Sequence, residues 1–363
     1  MSIVPLPPTD PLPPTDPVPL IVDVDTGIDD ALALLYLLCS PDAEILTVAS
    51  TGGNVPTAQV AANNLAWLDL CGRSDIEVTR GSAVPLVGDL RTTEDTHGPQ
   101  GLGYAVLPTS TRPLAERDSA TAWVEVARSR PGEVTGLVTG PLTNLALALR
   151  IEPDLPLLLR RLVIMGGAFD HPGNTTPTSE WNVAVDPEAA KVVFDAFSVV
   201  PEHRRPIVCP LGVTETIELR PEHLRRLAES AGSTPVESIT ESDPAGSRSR
   251  ASDPVVRALS DAIRFYLEFH RDHGHGFLAH MHDPLAAAVA LDPAVVRTRP
   301  ATVDVELVGT LTRGSTVADW HGMWGRAPNA DIAVATDPDT FLTHLVDRIG
   351  RRLRGRSRAT APR

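Results

Sequence analysis

The sequence has little lysine and cysteine, and it contains no long uninterrupted apolar segment. Lys191 is the only lysine, so arginine supplies nearly all of the 32 basic residues, against 46 acidic residues and a net charge of −14. This balance argues against a nucleic-acid-binding surface. No apolar run could span a bilayer, and the N-terminus lacks the basic start and apolar core of a secretion signal. We therefore expect a cytoplasmic protein that binds neither membranes nor nucleic acids.

The cysteines give no sign of metal or disulfide chemistry. Cys39, Cys71 and Cys209 are scattered and odd in number, and no pair has the spacing of metal ligands. Each lies in or beside an apolar segment, which favours buried free thiols over reactive ones.

Both ends of the chain differ in composition from the middle. Residues 5–16 repeat the hexamer PLPPTD, and such proline-rich sequence favours extended conformations without backbone ladders. We predict a disordered leader over residues 1–17, with a proline-motif ligand as the alternative. Residues 351–363 are rich in arginine and predict a basic disordered tail. Residues 18–350 then form one domain, a length that single α/β domains reach.

Between these ends, predicted strands and helices alternate. The strand segments, such as PLIVDVD, EILTVAST, VTGLVTG and RLVIMGG, are continuous apolar runs, which is typical of a parallel sheet covered by helices on both faces. Repeated strand–helix units predict a single doubly wound, Rossmann-like α/β domain. Segments after residue 300 predict further strands that extend the sheet.

Four aspartates crowd the end of the first predicted strand. Asp23 and Asp25 end the strand, and Asp29 and Asp30 open the following helix. Ligands bind at the carboxyl ends of strands in such sheets, and one carboxylate suits a helix N-terminus. Four would repel each other unless a dication were bound. The sulfur-free oxygen ligands favour a hard cation such as Ca²⁺ or Mg²⁺; an accidental polar cluster is the alternative.

Two enzyme classes place aspartates at this position. The segment DVDT could begin a haloacid-dehalogenase-type phosphatase, in which the first aspartate attacks phosphorus. That chemistry needs a cationic residue, usually lysine, to hold the phosphate. Lys191 lies within a predicted helix and has no phosphate loop around it, which argues against this hypothesis.

The segment DVDTGIDDALAL more strongly resembles the signature of the inosine-uridine-preferring nucleoside hydrolase family, Asp-x-Asp-x-x-x-Asp-Asp. The resemblance continues in order from about residue 19 to 350, through GGNV, HGPQGLG, TGPLTNLALAL, MGGA, GNTTPTSEWNVAVDPEAA and HDPLAAAVAL. It implies the nucleoside hydrolase fold and Ca²⁺-dependent hydrolysis of ribonucleosides to free base and ribose. It also implies a homodimer or homotetramer.

The resemblance assigns roles to residues of these motifs. Asp29 would be the general base that takes a proton from the attacking water, and His282 would contact or protonate the leaving base. The implied metal ligands are Asp25, Asp30, the backbone carbonyl of Thr139, and Asp283. The implied substrate-binding residues are Asp23, Asn54, His97, Met165, Asn174, Glu180, Trp181 and Asn182.

Elementary chemistry agrees with such a site. Cleavage of a glycosidic bond builds positive charge on the sugar, and a carboxylate-rich pocket stabilises that charge as it develops. Histidine is the usual proton donor near neutral pH. A histidine-rich run, HRDHGHGFLAHMHDP, could suggest zinc, but its spacing is irregular.

Two alternatives within this site remain open. The sugar-binding residues do not distinguish ordinary ribonucleosides from a modified-base or nicotinamide-type riboside. A non-catalytic nucleoside- or calcium-binding protein is the other alternative, and we would expect it to have lost Asp29, which is present.

Overall fold

The computed structural model describes residues 16–360, and all but the last two residues of the predicted leader lie outside that range. The described residues form one nine-stranded sheet and a separate two-stranded pair. The strands are β1 Val18–Val24, β2 Ala43–Ser50, β3 Glu77–Arg80, β4 Thr135–Val138, β5 Arg161–Met165, β6 Ile207–Cys209, β7 Glu218–Leu219, β8 Ala279–His280, β9 Val296–Val305, β10 Thr316–Asp319 and β11 Ala330–Thr336.

The large sheet is mostly parallel, as predicted. Its order is β10-β9-β11-β6-β5-β4-β1-β2-β3. Seven neighbouring strands are parallel to one another: β3, β2, β1, β4, β5, β6 and β11. Strand β9 is antiparallel to both of its neighbours, β11 and β10. The chain builds outward from β1 to β2 and β3, and then places β4 on the other side of β1. This reversal creates a crevice at the carboxyl ends of β1 and β4, which is where open α/β sheets bind ligands.

Helices cover both faces of the sheet. Leu20 and Val22 of β1 belong to one apolar cluster and Ile21, which points to the opposite face, belongs to the other. The α-helices are α1 Ile28–Leu38, α2 Thr57–Leu70, α3 Glu94–His97, α4 Ser119–Ser129, α5 Thr143–Ile151, α6 Leu155–Leu158, α7 Trp181–Val185, α8 Pro187–Ala196, α9 Leu211–Thr214, α10 Pro221–Ala231, α11 Pro254–Asp272, α12 His282–Leu291 and α13 Pro338–Thr360. Short 3₁₀ helices span Phe197–Val199, Glu202–Arg204 and Pro293–Val295.

The C-terminal segment corrects one prediction. Helix α13 continues to Thr360, so the prediction of a disordered tail from residue 351 is wrong for residues 351–360; residues 361–363 lie outside the described range. Leu345, Ile349 and Leu353 recur every four residues and are buried. This apolar stripe continues past residue 350 and packs the helix onto the domain, mainly against α10.

Two expectations from composition can be compared with the structure. The three cysteines are free thiols, two of them buried and Cys71 half-buried. Burial raises the pKa of the Cys209 thiol to about 12, so this thiol is not a reactive thiolate. Among residues 16–360, no helix has the length and apolar character that crossing a membrane requires.

Candidate active site

A cavity of about 820 Å³ opens at the carboxyl ends of β1 and β4. Most of the predicted site residues line it: Asp25, Asp29, Asn54, His97, Thr139, Met165, Asn174, Glu180, Trp181, Asn182, His282 and Asp283. These residues come from segments up to 258 positions apart, from Asp25 to Asp283. The motifs that follow one another along the chain therefore lie together at one place in the fold.

The turn between β1 and α1 is tightly enclosed. A Cβ atom on Gly27 would lie 2.5 Å from His97 Nδ1 and 2.6 Å from Asn54 Nδ2. These are impossible contacts for a side chain, so glycine is required here by the close approach of its neighbours. The absence of a side chain lets Asn54 reach Asp30 and lets His97 reach the backbone N–H of Ile28.

The N-termini of α1 and α12 bring three carboxylates together. Carboxylate oxygens of Asp29, Asp30 and Asp283 lie within 4.8 Å of one another, and all three residues are buried. Burial, and then repulsion from Asp30, raises the pKa of Asp29 to about 7. Burial and the neighbouring aspartates raise the pKa of Asp283 well above its ordinary value. The cluster therefore resists holding its full negative charge without a cation.

Asp30 and Asp25 are held in place by hydrogen bonds from the surrounding loops. Asp30 accepts hydrogen bonds from the backbone N–H of Gly27 at 2.8 Å, from Asn54 Nδ2 at 3.1 Å and from Thr139 Oγ1 at 2.7 Å. Asp25 Oδ2 accepts from the backbone N–H of Asn54 at 2.9 Å. Burial, with Asp30 as the main charged neighbour, raises the pKa of Asp25 well above its usual range.

These residues fit a hard dication. The oxygen atoms available to bind a metal ion are those of the carboxylates and of the Thr139 carbonyl. This carbonyl accepts a hydrogen bond from Asn182 Nδ2 at 2.7 Å, which fixes its direction. Oxygen donors of this kind suit Ca²⁺ or Mg²⁺. The raised pKa values of Asp25, Asp29 and Asp283 show a surplus of buried negative charge, which a cation would offset.

Asp23 is placed differently from the prediction. It is fully buried, does not line the cavity, and accepts hydrogen bonds from Thr51 Oγ1, from Trp123 Nε1 at 2.7 Å and from Asn144 Nδ2 at 3.0 Å. This position does not support the predicted contact between Asp23 and a sugar. Side chains alternate along a strand, but only the packing of α4 and α5 shows that Asp23 faces Trp123 and Asn144.

One wall of the cavity is polar and comes from the loop before α7. Glu180 caps α7, accepting hydrogen bonds from the backbone N–H groups of Asn182 at 2.8 Å and Gly167 at 3.0 Å. Its burial raises its pKa in spite of these bonds. Asn174 Oδ1 accepts from the backbone N–H of Trp181 at 2.9 Å. These bonds fix the orientation of a polar wall beside the aspartates.

Imidazole rings form another part of the cavity lining. His282 Nδ1 lies 2.8 Å from Thr214 Oγ1, and burial, followed by the nearby His280, lowers its pKa well below the ordinary value. His97 Nδ1 accepts a hydrogen bond from the backbone N–H of Ile28 at 3.1 Å. Burial lowers the pKa of His97 to about 4. Both rings are therefore neutral near pH 7.

Several residues that line the cavity were not identified from the sequence. Four histidines of the histidine-rich run line the cavity in addition to His282. Arg91 lies over the Trp181 ring at 5.7 Å, and its segment carries no motif. The residues without a sequence-based assignment include Arg91, His171, Glu215, Tyr266, Phe269, His270, His273, His275 and His280.

The fold, the aspartate cluster and the polar wall define a hydrolase of the nucleoside hydrolase class. The chain belongs to the inosine-uridine preferring nucleoside hydrolase family, whose model matches residues 20–343. It is an enzyme that hydrolyses the N-glycosyl bond of ribonucleosides.

Named relatives agree over nearly the whole chain. The pyrimidine-specific ribonucleoside hydrolase RihA of Citrobacter koseri is 33% identical over 328 residues, which covers 90% of this chain and 96% of that protein. The purine-preferring ribonucleoside hydrolase from Gardnerella vaginalis has a TM-score of 0.81 at 28% identity, covering 93% and 99% of the two chains. The plant nucleoside hydrolase PpNRh1 has a TM-score of 0.80 at 28% identity, covering 92% and 99%.

Membership of this family excludes the phosphatase hypothesis. Lys191 does not line the cavity. Its ammonium group pairs instead with Asp304 at 2.8 Å and with Asp195 at 3.1 Å. The only lysine of the chain is therefore an ion-pair residue on α8 and not a phosphate ligand.

Proposed function

We propose that this enzyme releases free base and ribose from a ribonucleoside in the cavity at β1 and β4, with Ca²⁺ bound by the aspartate cluster. The observation that supports this most directly is the layout of the cavity. Buried carboxylates, hydrogen-bonding amide side chains and imidazole rings all line this one cavity. A sugar carrying developing positive charge suits the carboxylates, and a departing base suits the imidazoles.

The ligands we propose for Ca²⁺ are Asp25, Asp30, Asp283 and the carbonyl of Thr139. Ca²⁺ accepts six to eight oxygens in flexible geometry, and the ribose hydroxyls and water would complete the set. A bound dication supplies Lewis acidity, which lowers the pKa of water near it. The hydrogen bonds from Gly27, Asn54 and Thr139 hold Asp30 in position for this role.

Asp29 is our candidate for the general base. It lines the cavity, and its pKa of about 7 would suit proton transfer near neutral pH. A cation beside it would lower that pKa. Asp25 also lines the cavity, and hydrogen bonds occupy only one of its oxygens, so it is the competing candidate. The two are distinguished by which variant keeps metal affinity and loses turnover.

The polar wall would hold the sugar. Asn54, Asn174, Glu180 and Asn182 present amide and carboxylate groups to the cavity, and Met165 packs beside Asn182, with its sulfur 3.4 Å from the amide nitrogen. Hydrogen bonds to the ribose hydroxyls would strengthen as charge develops on the ring. Trp181, which lies beneath the Arg91 guanidinium, would stack on the substrate, because aromatic faces bind flat rings.

His282 is our candidate for assisting the leaving base. It is neutral near pH 7 because burial depresses its pKa, so it would act through an N–H group as negative charge grows on the base. His97, anchored to Ile28, would support the same side of the cavity. The relatives act on different bases by name, so the panel of substrates must include purines and pyrimidines.

The decisive experiment measures ribose release from cytidine, uridine, inosine, guanosine, adenosine and nicotinamide riboside after removal of metal by EDTA. Restoring Ca²⁺ should restore release from at least one of them. Asp30→Asn should lose Ca²⁺ affinity measured by calorimetry. Asp29→Asn should keep the affinity and lower kcat by about 10²–10⁴. Asp154→Asn, an exposed residue outside the cavity, is the control.

Three results would contradict the proposal. Full activity in EDTA would exclude the metal. Unchanged turnover in Asp29→Asn, with loss in Asp25→Asn and retained Ca²⁺ binding, would transfer the base role to Asp25. Calcium binding without release from any riboside would leave the non-catalytic alternative.

We also propose that the enzyme is a cytoplasmic homodimer or homotetramer. Val308, Leu311 and Met323 are 84–89% exposed near the edge strand β10, and exposed apolar side chains of this kind support self-association. Light scattering coupled to size-exclusion chromatography would give the molecular mass, and a monomer at micromolar concentration would contradict this.

A further inference from the structure

A second cavity, of about 600 Å³, lies at the far end of α1 from the active site. Helix α1 begins beside the aspartate cluster and ends at Leu38, about 16 Å away along the helix axis. The residues that line the second cavity are Leu38, Cys39, Ser40, Pro41, Ala43, Arg73, His344, Arg348, Arg351 and Arg352. Four of these ten are arginines, and none is acidic.

One face of α13 supplies most of the positive charge. His344, Arg348, Arg351 and Arg352 recur at helical spacing and share this face. The other face buries its apolar residues against the domain. The arginines therefore project over the cavity because the apolar stripe fixes the rotation of the helix. Arg73, from the turn after α2, reaches the same cavity.

The arginines of this cavity are only partly neutralised. Arg348 pairs with Asp42 at 2.7 Å and Arg73 pairs with Asp75 at 2.8 Å. Within residues 16–360, Arg351 and Arg352 have no carboxylate oxygen within the 4.0 Å of an ion pair. Four arginines against two aspartates leave two positive charges in a protein whose net charge is −14.

The partial negative charge at the C-terminal end of α1 does not account for the positive charges of Arg351 and Arg352. Three of its last four carbonyls already have donors: Leu35 O accepts from the backbone N–H of Cys39 at 2.9 Å, Tyr36 O from Ser40 Oγ at 2.6 Å, and Leu37 O from the backbone N–H of Ser40 at 3.0 Å. Arg348 also lies over the Tyr36 ring at 5.2 Å. Arg351 and Arg352 thus remain available to a ligand.

We propose that this cavity binds a small phosphate-bearing anion, with Arg351 and Arg352 as its main ligands and Arg348 on the cavity wall. A guanidinium group forms paired, charge-assisted hydrogen bonds with phosphate oxygens. The cavity volume of about 600 Å³ accommodates a small anion of this kind. The site is independent of the proposed reaction, because it shares no residue with the active site.

The test is calorimetric titration of the full-length enzyme, with stoichiometric Ca²⁺ present, at constant ionic strength set by chloride. The probes are inorganic phosphate, ribose 5-phosphate and ribose. Saturable binding of a phosphate-bearing probe is the expected result, and tighter binding of ribose 5-phosphate than of phosphate would identify a phosphorylated sugar as the ligand class. Ribose reports any contribution of the active site.

Variants decide whether the arginines are responsible. Arg351→Ala and Arg352→Ala should each weaken phosphate binding by about tenfold, and the double variant should abolish it. Lysine at both positions should recover only part of the affinity, because it lacks the paired donors. Arg150→Ala, an exposed arginine elsewhere, should bind as the wild type does. Equal phosphate affinity in the wild type and the double alanine variant, or no saturable binding beyond chloride, would overturn the proposal.

Discussion

Asp23 provides a sharp distinction between a substrate ligand and a buried support. Its carboxylate is fully buried and joins β1 to Thr51 after β2, to Trp123 of α4 and to Asn144 of α5. We expect substitution of Asp23 to reduce stability and to leave Ca²⁺ affinity and KM nearly unchanged in the folded fraction.

The size of the effect follows from the partners. In Asp23→Ala, Trp123 Nε1–H loses its acceptor in a fully buried position, whereas Asn144 Nδ2 keeps Thr51 Oγ1 at 2.6 Å and Ser50 O at 3.2 Å. Hydrogen bonds to a charged group contribute about 1.5–3 kcal/mol each, and an orphaned buried donor costs about 1–3 kcal/mol. We therefore expect Asp23→Ala to lower the free energy of unfolding by about 3–5 kcal/mol. This is a large part of the total of about 5–15 kcal/mol that is typical of folded proteins.

Asn at this position should be milder. Its amide oxygen can accept from Trp123, but its NH₂ group then faces both Thr51 Oγ1 and Asn144 Nδ2, which donate to the same oxygen of Asp23. Thr51 can accept a hydrogen bond, so the loss should be about 1–2 kcal/mol.

Urea unfolding followed by tryptophan fluorescence measures the free energy, with Asp154→Asn as an exposed control expected to change it by less than about 0.5 kcal/mol. Calorimetry and kinetics on the folded variant report Ca²⁺ affinity and KM. Unchanged stability together with a KM raised a hundredfold would refute the support role and restore Asp23 as a sugar ligand.

Two further predictions concern pH and the last helix. With saturating Ca²⁺, the free energy of unfolding should fall as pH drops from about 6.5 towards 4, by up to about 1.4 kcal/mol per pH unit for each buried histidine. Burial lowers the pKa of His97 to about 4 and that of His270 to about 3, so these rings bind protons mainly in the unfolded chain. His270→Gln should therefore reduce the slope of the free energy of unfolding against pH, whereas His203→Gln, at an exposed histidine, should leave it unchanged. The same slope in His270→Gln and in the wild type would contradict this. Leu353→Ala should lower the free energy of unfolding, measured in urea, by about 2–4 kcal/mol. An unchanged free energy would show that the residues beyond 350 do not pack against the domain.

The sequence predicted the framework of the site because its signals are local. Continuous apolar runs predicted a parallel sheet, and β9, β10 and β11 extend it, as expected from the segments after residue 300. The spacing of the aspartates around one strand–helix junction predicted a charged cavity, because parallel strands end at the same edge of the sheet.

The C-terminal segment shows how a local signal can mislead. Its arginine-rich composition suggested a solvated tail, yet Leu353 continues the apolar stripe of α13 and is buried. Composition averaged over thirteen residues hid one apolar position at helical spacing. The same helix carries three of the four arginines of the second cavity.

By itself, the sequence determined the class of fold, the family and the aspartate-rich junction, because periodicity and short motifs record backbone geometry over a few residues. Only the tertiary structure decided that Asp23 faces Trp123 while Asp25 and Asp29 face the cavity, that seven histidines line that cavity, and that Arg351 and Arg352 lie in a second cavity at the end of α1. These contacts join residues tens to hundreds of positions apart. Their distances depend on how helices pack across the sheet, which no local pattern specifies.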